Sequence, residues 1–319
     1  MSVSVNVQRI GVYKKRGDNT AEIGVLPRVL NEDPKRYGLL KEEDQMDLKK
    51  GCVGLKDEGY GDLFHSFFDY TMKTSKRGIS LEEAIGAKIV TTRRTLRLIA
   101  NKAFFRCPFA MLAIRKKGVI FLCEANSEND CPNADLFEGH KFDQYMTLDD
   151  NGQPHDEYAP VSNAECTRAV LRTSLKQFTK EIKVVYTAVI DAQDKDGNFV
   201  EIKSSKLDIK TWIQKKSLAN YLQAYFGAMS HIIHGETDEN KVVKKVTKLA
   251  VNSLPNMDVF WNPQRCFSTV FKTLETIQSR LTIDDTSFVI RSDDRNLHFE
   301  MSNESDCKFM NPDFLHHFD

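Results

Sequence analysis

Apolar residues in this chain recur in two rhythms, every second residue and every third or fourth, and the rhythm changes several times. Leu81 to Ala103 carries apolar residues at Ile85, Ile89, Leu96 and Ile99, which predicts a helix. Phe109–Ile114 and Val119–Cys123 flank the polar run from Arg115 to Gly118 and predict a hairpin. Ser162 and Glu165 have the spacing of a capping box, with Val170, Leu171, Leu175 and Phe178 following at helical intervals. Lys183 to Asp191 is rich in β-branched residues and reads as a buried strand. Asp196-Gly197 breaks the chain before a second strand, Phe199 to Ser204. Ser217 to Phe226 reads as helix and Ile232-Ile233 as a short strand; Val242 to Val251 fits either. Cys266 to Leu281 forms an amphipathic helix after Trp261-Asn262-Pro263, and Ser287–Arg291 and Asn296–Met301 close the chain as strands. Hairpins mixed with crossovers imply an α/β (α+β) domain with a mixed sheet.

No repeat, low-complexity tract or linker interrupts the 319 residues, so a single domain over 1–319 is expected. The charge-rich stretch from Asn31 to Gly59 is expected to wrap the surface, within an N-terminal segment 1–75; residues 302–319 read as a tail. Lys plus Arg and Asp plus Glu both number 45, which argues against broad coating of nucleic acid but leaves room for a local basic pocket. Seven cysteines with no C-x-x-C pair read as reduced thiols. The N-terminus has no apolar leader, and no run is long enough to span a bilayer. An intracellular protein, of nucleus or cytoplasm, with no membrane partner is expected.

The candidate chemistry centres on Asp191 and the Glu201-Ile202-Lys203 triplet. Antiparallel strands would bring Asp191 and Glu201 together at their loop ends. Two such carboxylates repel unless a cation lies between them, and Mg²⁺ or Mn²⁺ suits oxygen donors. Lys203 shares a strand face with Glu201, where it can hold a water or phosphate oxygen. The competing reading is a polar turn beside a solvated face, and on spacing alone it is the stronger one. Val189 shares the strand face of Asp191 yet binds no metal. Gly139-His140-Lys141-Phe142-Asp143-Gln144-Tyr145-Met146 sets an acid inside an aromatic stretch, or simply ends a helix. Arg93 either forks onto a phosphate or packs its stem at the surface. Gln223, polar in an apolar helix, needs partners if buried. His231 and His234 bracket a strand and point to opposite faces, which argues against zinc. No Walker A or G-x-G-x-x-G loop is present.

Taken in order, these blocks resemble the DXO family of mRNA decapping exonucleases. Val90-Thr91-Thr92-Arg93 looks like its arginine motif, Gly139–Met146 its G-Y-K-F-E-Q-Y-M block, Val189-Ile190-Asp191 its Glu-hydrophobic-Asp, and Phe199–Lys206 its Y-V-E-L-K-T-S-K block; Gln223 and Trp261-Asn262-Pro263 follow in place. The resemblance covers about residues 80 to 281. It implies one domain of two packed mixed sheets and a D-(E)-x-K active site hydrolysing RNA 5′ ends: triphosphates, incomplete or non-canonical caps, and in some members 5′-3′ digestion. DNA is not an expected substrate.

It further implies two Mg²⁺ or Mn²⁺ ions. Asp191 would bridge them, Glu201 and the Ile202 main-chain oxygen would complete one, and Asp143 would support the cluster. Lys203 and Gln223 would orient the attacking water, and Arg93 would hold the 5′ phosphate. Some nuclear members partner a 5′-3′ exoribonuclease. Three departures stand out. Asp143 replaces Glu and is shorter by roughly 1.5 Å. Val189 replaces a Glu outright, which weakens the second ion. Ala219-Asn220-Tyr221 replaces Lys-Trp-Trp. An enzyme of narrowed activity and a pseudoenzyme that binds RNA ends or a partner protein both remain open.

Overall fold

The computed structural model describes residues 2–51, 63–106, 108–125, 135–293, 296–302 and 309–318. Cys52, Cys107, Cys131, Cys307 and the end of the charge-rich stretch lie outside them; Cys166 and Cys266 are free thiols. In chain order the elements begin β1 (Ser4–Lys15), β2 (Ala21–Ile23), β3 (Gly38–Leu39) and β4 (Met46–Asp47). Two helices follow, α1 (His65–Thr74) and α2 (Leu81–Ile85), then β5 (Ile89–Thr92), α3 (Arg93–Asn101), β6 (Phe109–Lys116), β7 (Val119–Glu124) and α4 (Asp135–Tyr145). The middle of the chain gives β8 (Cys166–Gln177), β9 (Lys180–Val189), β10 (Ala192–Gln193), β11 (Phe199–Ser205), α5 (Ile209–Phe226), β12 (Met229–Thr237) and β13 (Val242–Ala250). Last come α6 (Pro263–Arg280), β14 (Ser287–Ser292), β15 (Leu297–Met301) and α7 (Pro312–His317).

A nine-stranded mixed sheet runs β15-β14-β6-β7-β5-β9-β8-β1-β2, and a six-stranded sheet holds β10-β11-β12-β13-β3 with β4 beside β13. The expected α/β class and its two mixed sheets are therefore present. Strand alternation distributes side chains between separate cores. On β9, Ile182, Val184, Tyr186 and Ala188 enter the largest core, which joins both sheets to α3, α5 and α6. Val185 faces a second core with Phe67 and Phe68 of α1 and Phe314 of α7. The third core lies between the small sheet and α4, with Phe142 and Met146 at its centre.

Three expectations of secondary structure fail, each for a local reason. Leu81 to Ala103 is not one helix. Gly86 caps α2 in the left-handed region at φ 69°, and the β-branched run Ile89-Val90-Thr91-Thr92 becomes a buried parallel strand between β7 and β9. Thr92 then caps α3, its hydroxyl accepting from Thr95 N. The segment after Ser162 is a strand: β8 pairs with β1 on one side and β9 on the other, and the Ser162 hydroxyl accepts from Ala164 N in a turn. Finally, β9 and β11 are not a hairpin. They belong to different sheets, and only the two residues of β10 pair antiparallel with β11.

The terminal segments differ from expectation too. Ser4–Lys15 does not wrap the surface but pairs with β8 along the large sheet. The tail buries Phe314 and Phe318. Val242 to Ala250 takes the strand alternative.

Phe142 seats α4 on the small sheet by lying directly over Gly235 of β12. A Cβ at Gly235 would stand 2.5 Å from Phe142 Cζ. Gly235→Ala is therefore expected to destabilise the protein by about 1–3 kcal/mol through overpacking. Thermal denaturation measures this, and an unchanged melting temperature would show that the ring has room to move.

Candidate metal centre

Two parallel strands of the large sheet, β5 and β9, run side by side, with Thr92 opposite Thr187. Arg93 follows the carboxyl end of β5 as the first residue of α3, and Asp191 follows β9. The carboxyl ends of parallel strands are where open α/β sheets place ligand sites. At Asp191 the chain leaves the large sheet and enters the small one. Glu201, Ile202 and Lys203 come from β11, Gln223 from α5, and Asp143 from α4.

Asp191 and Glu201 do meet, although not through a β9–β11 hairpin. Ile202 N donates to Asp191 Oδ2 at 2.8 Å, which ties Asp191 to β11. Glu201 is fully buried, so the solvated-face reading fails. Its carboxylate accepts from Gln223 Nε2, from Arg93 Nη1 at 3.2 Å and from the Lys203 ammonium. Lys203 also donates to the Ile202 carbonyl at 2.9 Å and approaches Asp191 Oδ2 at 3.5 Å. One ammonium thus receives Asp191 Oδ2, Glu201 Oε1 and the Ile202 oxygen together. That trio of hard oxygens around one positive centre fits a divalent cation such as Mg²⁺ or Mn²⁺.

Asp143 stands apart from this trio. Its Oδ2 is 3.4 Å from His140 Nδ1, and its charge reaches Asp191 and Lys203 through space. Among the described residues no three side chains of His, Cys, Asp or Glu surround a common point. The convergent donor set is two carboxylates and a carbonyl. Val189, at 36% exposure, lies across from Arg168 on β8 and adds no oxygen. His234 is buried elsewhere, its Nε2 2.8 Å from Ser205 Oγ.

The two carboxylates divide the load unequally. Burial, then the Glu201 charge, pushes Asp191 from its usual 3.8 up to about 7. Burial also works against the Glu201 charge, but Lys203 and Arg93 overcome it and hold its pKa below the ordinary range. Burial opposes the Lys203 charge as well, and Asp191 and Glu201 outweigh it, so its pKa lies above normal. The pair titrates as a unit, with Glu201 carrying the charge and Asp191 the proton.

A cation must displace that proton. Mn²⁺ affinity is expected to rise from about pH 6 to about pH 8 and then level off, which titration calorimetry follows. The metal-free fold shows the opposite slope. Folded Asp191 keeps its proton where the unfolded carboxyl has lost it, so this residue's contribution to stability falls as pH climbs from 3.8 towards 7.

Sequence reasoning overlooked Arg97. It sits one turn after Arg93 on α3, and its Nη1 donates to Gln223 Oε1. The four-residue spacing from Arg93 was the available signal. Arg94, between them, instead pairs with Glu124 at the surface.

A mixed α/β domain with an Asp, a Glu-x-Lys and a helix-borne Gln at one focus has the plan of a PD-(D/E)XK nuclease. The model of the family described as RAI1 like PD-(D/E)XK nuclease matches residues 27–315, and the chain belongs to that family. Decapping nuclease dom-3 of Caenorhabditis elegans is 34% identical over 182 residues, covering 52% of this chain and 45% of that protein. The Decapping and exoribonuclease protein of Homo sapiens is 23% identical over 236 residues, 63% of this chain and 56% of its own. The match therefore spans about half the length of these two relatives. Candida albicans Rai1, solved in complex with pU5-Mn²⁺, superposes with a TM-score of 0.75 at 15% identity, covering 99% of this chain and 95% of that one, and so shares the fold.

Proposed function

We infer that this protein hydrolyses RNA 5′ ends with a divalent ion held by Asp191, Glu201 and the Ile202 main-chain oxygen. The observation that carries this reading is the convergence of those three oxygens on a single cationic centre. Family membership supports it, as does the pU5-Mn²⁺ complex of the Candida protein. The substrates in view are 5′ triphosphates and incomplete or non-canonical caps, with 5′-3′ digestion as a further step.

When bound, the ion would supply Lewis-acid stabilisation and a more acidic water. The chain's own residues do the rest. Lys203, a third exposed, moves its ammonium from the carboxylates towards a water or phosphate oxygen. Gln223 donates its remaining N–H in the same direction. Arg93, 12% exposed, keeps Glu201 charged and turns its other guanidinium donors to the 5′ phosphate. Asp143 supports a second ion only weakly, because its carboxylate is short and Val189 adds none.

Incubation with 5′-monophosphate, 5′-triphosphate and capped RNAs in Mn²⁺ or Mg²⁺ tests this. Product from at least one substrate is expected, at a rate lowered by Val189 and Asp143. Val189 also supports a second reading, a pseudoenzyme that holds RNA ends or a protein partner such as a 5′-3′ exoribonuclease. Tight RNA binding without product from any substrate would select it.

A further inference from the structure

Gln223 is clamped from one side by α3. Arg93 Nη1 reaches its main-chain oxygen at 3.4 Å, and Arg97 Nη1 donates to its side-chain Oε1. On the other side Gln223 Nε2 donates to Glu201 Oε1. A guanidinium can only donate and a carboxylate can only accept. The amide therefore has one possible orientation, oxygen to Arg97 and nitrogen to Glu201.

Arg97 holds this place at a cost. Burial lowers its pKa, and the neighbouring charges of Arg93 and Arg94 add to that effect, outweighing the pull of Glu201 and Glu124. Among the described residues its only hydrogen-bond partner is this neutral amide. A half-buried cation whose one hydrogen bond goes to a neutral amide reads as a device for fixing that amide.

We propose that Arg97 is a positioning residue that locks the Gln223 amide, so that Gln223 acts solely as a donor at the reacting phosphate. The proposal rests on the 5′-end hydrolase reading for its catalytic consequence, and on the hydrogen bonds alone for its structural one. With Oε1 taken by Arg97 and one N–H by Glu201, a single N–H is left for water or a phosphate oxygen. Without Arg97 the amide oxygen loses its donor and the amide is held by the Glu201 contact alone, so it can swing about that bond and lose its aim at the phosphate.

Two measurements test it. The first needs no activity. The side-chain NH₂ signals of Gln223 in an amide nitrogen–proton correlation spectrum are assigned by their loss in Gln223→Leu. In the native protein they should be shifted from those of exposed amides and slow to exchange. Arg97→Leu should collapse both properties, and Arg97→Lys, which keeps a donor, should restore them. Unchanged signals in Arg97→Leu would overturn the proposal. If that variant does not fold, Arg97→Met, which keeps the length of the stem but has no donor, is read the same way.

The second measurement is kinetic, on 5′-triphosphate RNA with Mn²⁺. Arg97→Leu should lower kcat by about 10–100-fold, the usual effect of losing a supporting contact behind a metal site, with KM unchanged. In a Gln223→Leu background it should cost nothing further. A raised KM, or a loss that persists in that background, would mean that Arg97 touches RNA directly and would refute the positioning role. A native protein that hydrolyses no RNA would defeat the hydrolase reading while leaving the spectroscopic result to decide this one.

Discussion

Glu201→Gln is expected to abolish RNA 5′-end hydrolysis and to lower the melting temperature at the same time. The residue is fully buried and receives Gln223, Arg93 and Lys203. A glutamine keeps the volume but offers one acceptor oxygen and an NH₂ group that faces other donors. Removing one partner of a buried ion pair costs about 3–5 kcal/mol. The lower end applies here, since Lys203 retains Asp191 and a third of its side chain is in water. Scanning calorimetry and a Mn²⁺ titration read the two effects separately. Full activity with an unchanged melting temperature would remove Glu201 from the centre.

Val189→Glu should act in the opposite direction. The position is already 36% exposed at the end of β9, so a charge there costs the fold little. A carboxylate two residues before Asp191 would raise Mn²⁺ affinity or hydrolysis by about 10–100-fold, the scale attached to supporting groups around metal ligands. Without metal the added charge repels the Glu201 carboxylate, so the variant should melt lower than the native protein. Saturating Mn²⁺ should more than reverse that difference. If affinity, rate and melting temperature all stay the same, the centre has drifted beyond repair at this one residue.

Much of the centre was legible in the sequence because its parts are adjacent. Asp191 and the Glu201-Ile202-Lys203 triplet lie within thirteen residues at the ends of strands that local composition reveals. Arg93 and Gln223 required the family resemblance, since nothing local says that their helices meet. Arg97 escaped because an arginine in an amphipathic helix ordinarily faces water. The fold failed where pairing is long-range. The residues from Cys166 to Gln177 carry apolar side chains at spacings that suit a helix, and what makes them a strand is pairing on both edges, with β9 directly after them and with β1 more than 150 residues earlier. Leu81 to Ala103 failed for the converse reason, because a helical period ran through a four-residue β-branched strand that its neighbours then claimed.

The step of the chain at Asp191 has a mechanical side. The two carboxylates that share a cation stand on different layers, one at the rim of the nine-stranded sheet and the other inside the six-stranded one. Whatever bridges them works as a rivet between plates. A divalent ion seated there would resist shear between the layers. Amide exchange along β11 and β9 should then slow in concert when Mn²⁺ binds, well beyond the residues that touch it.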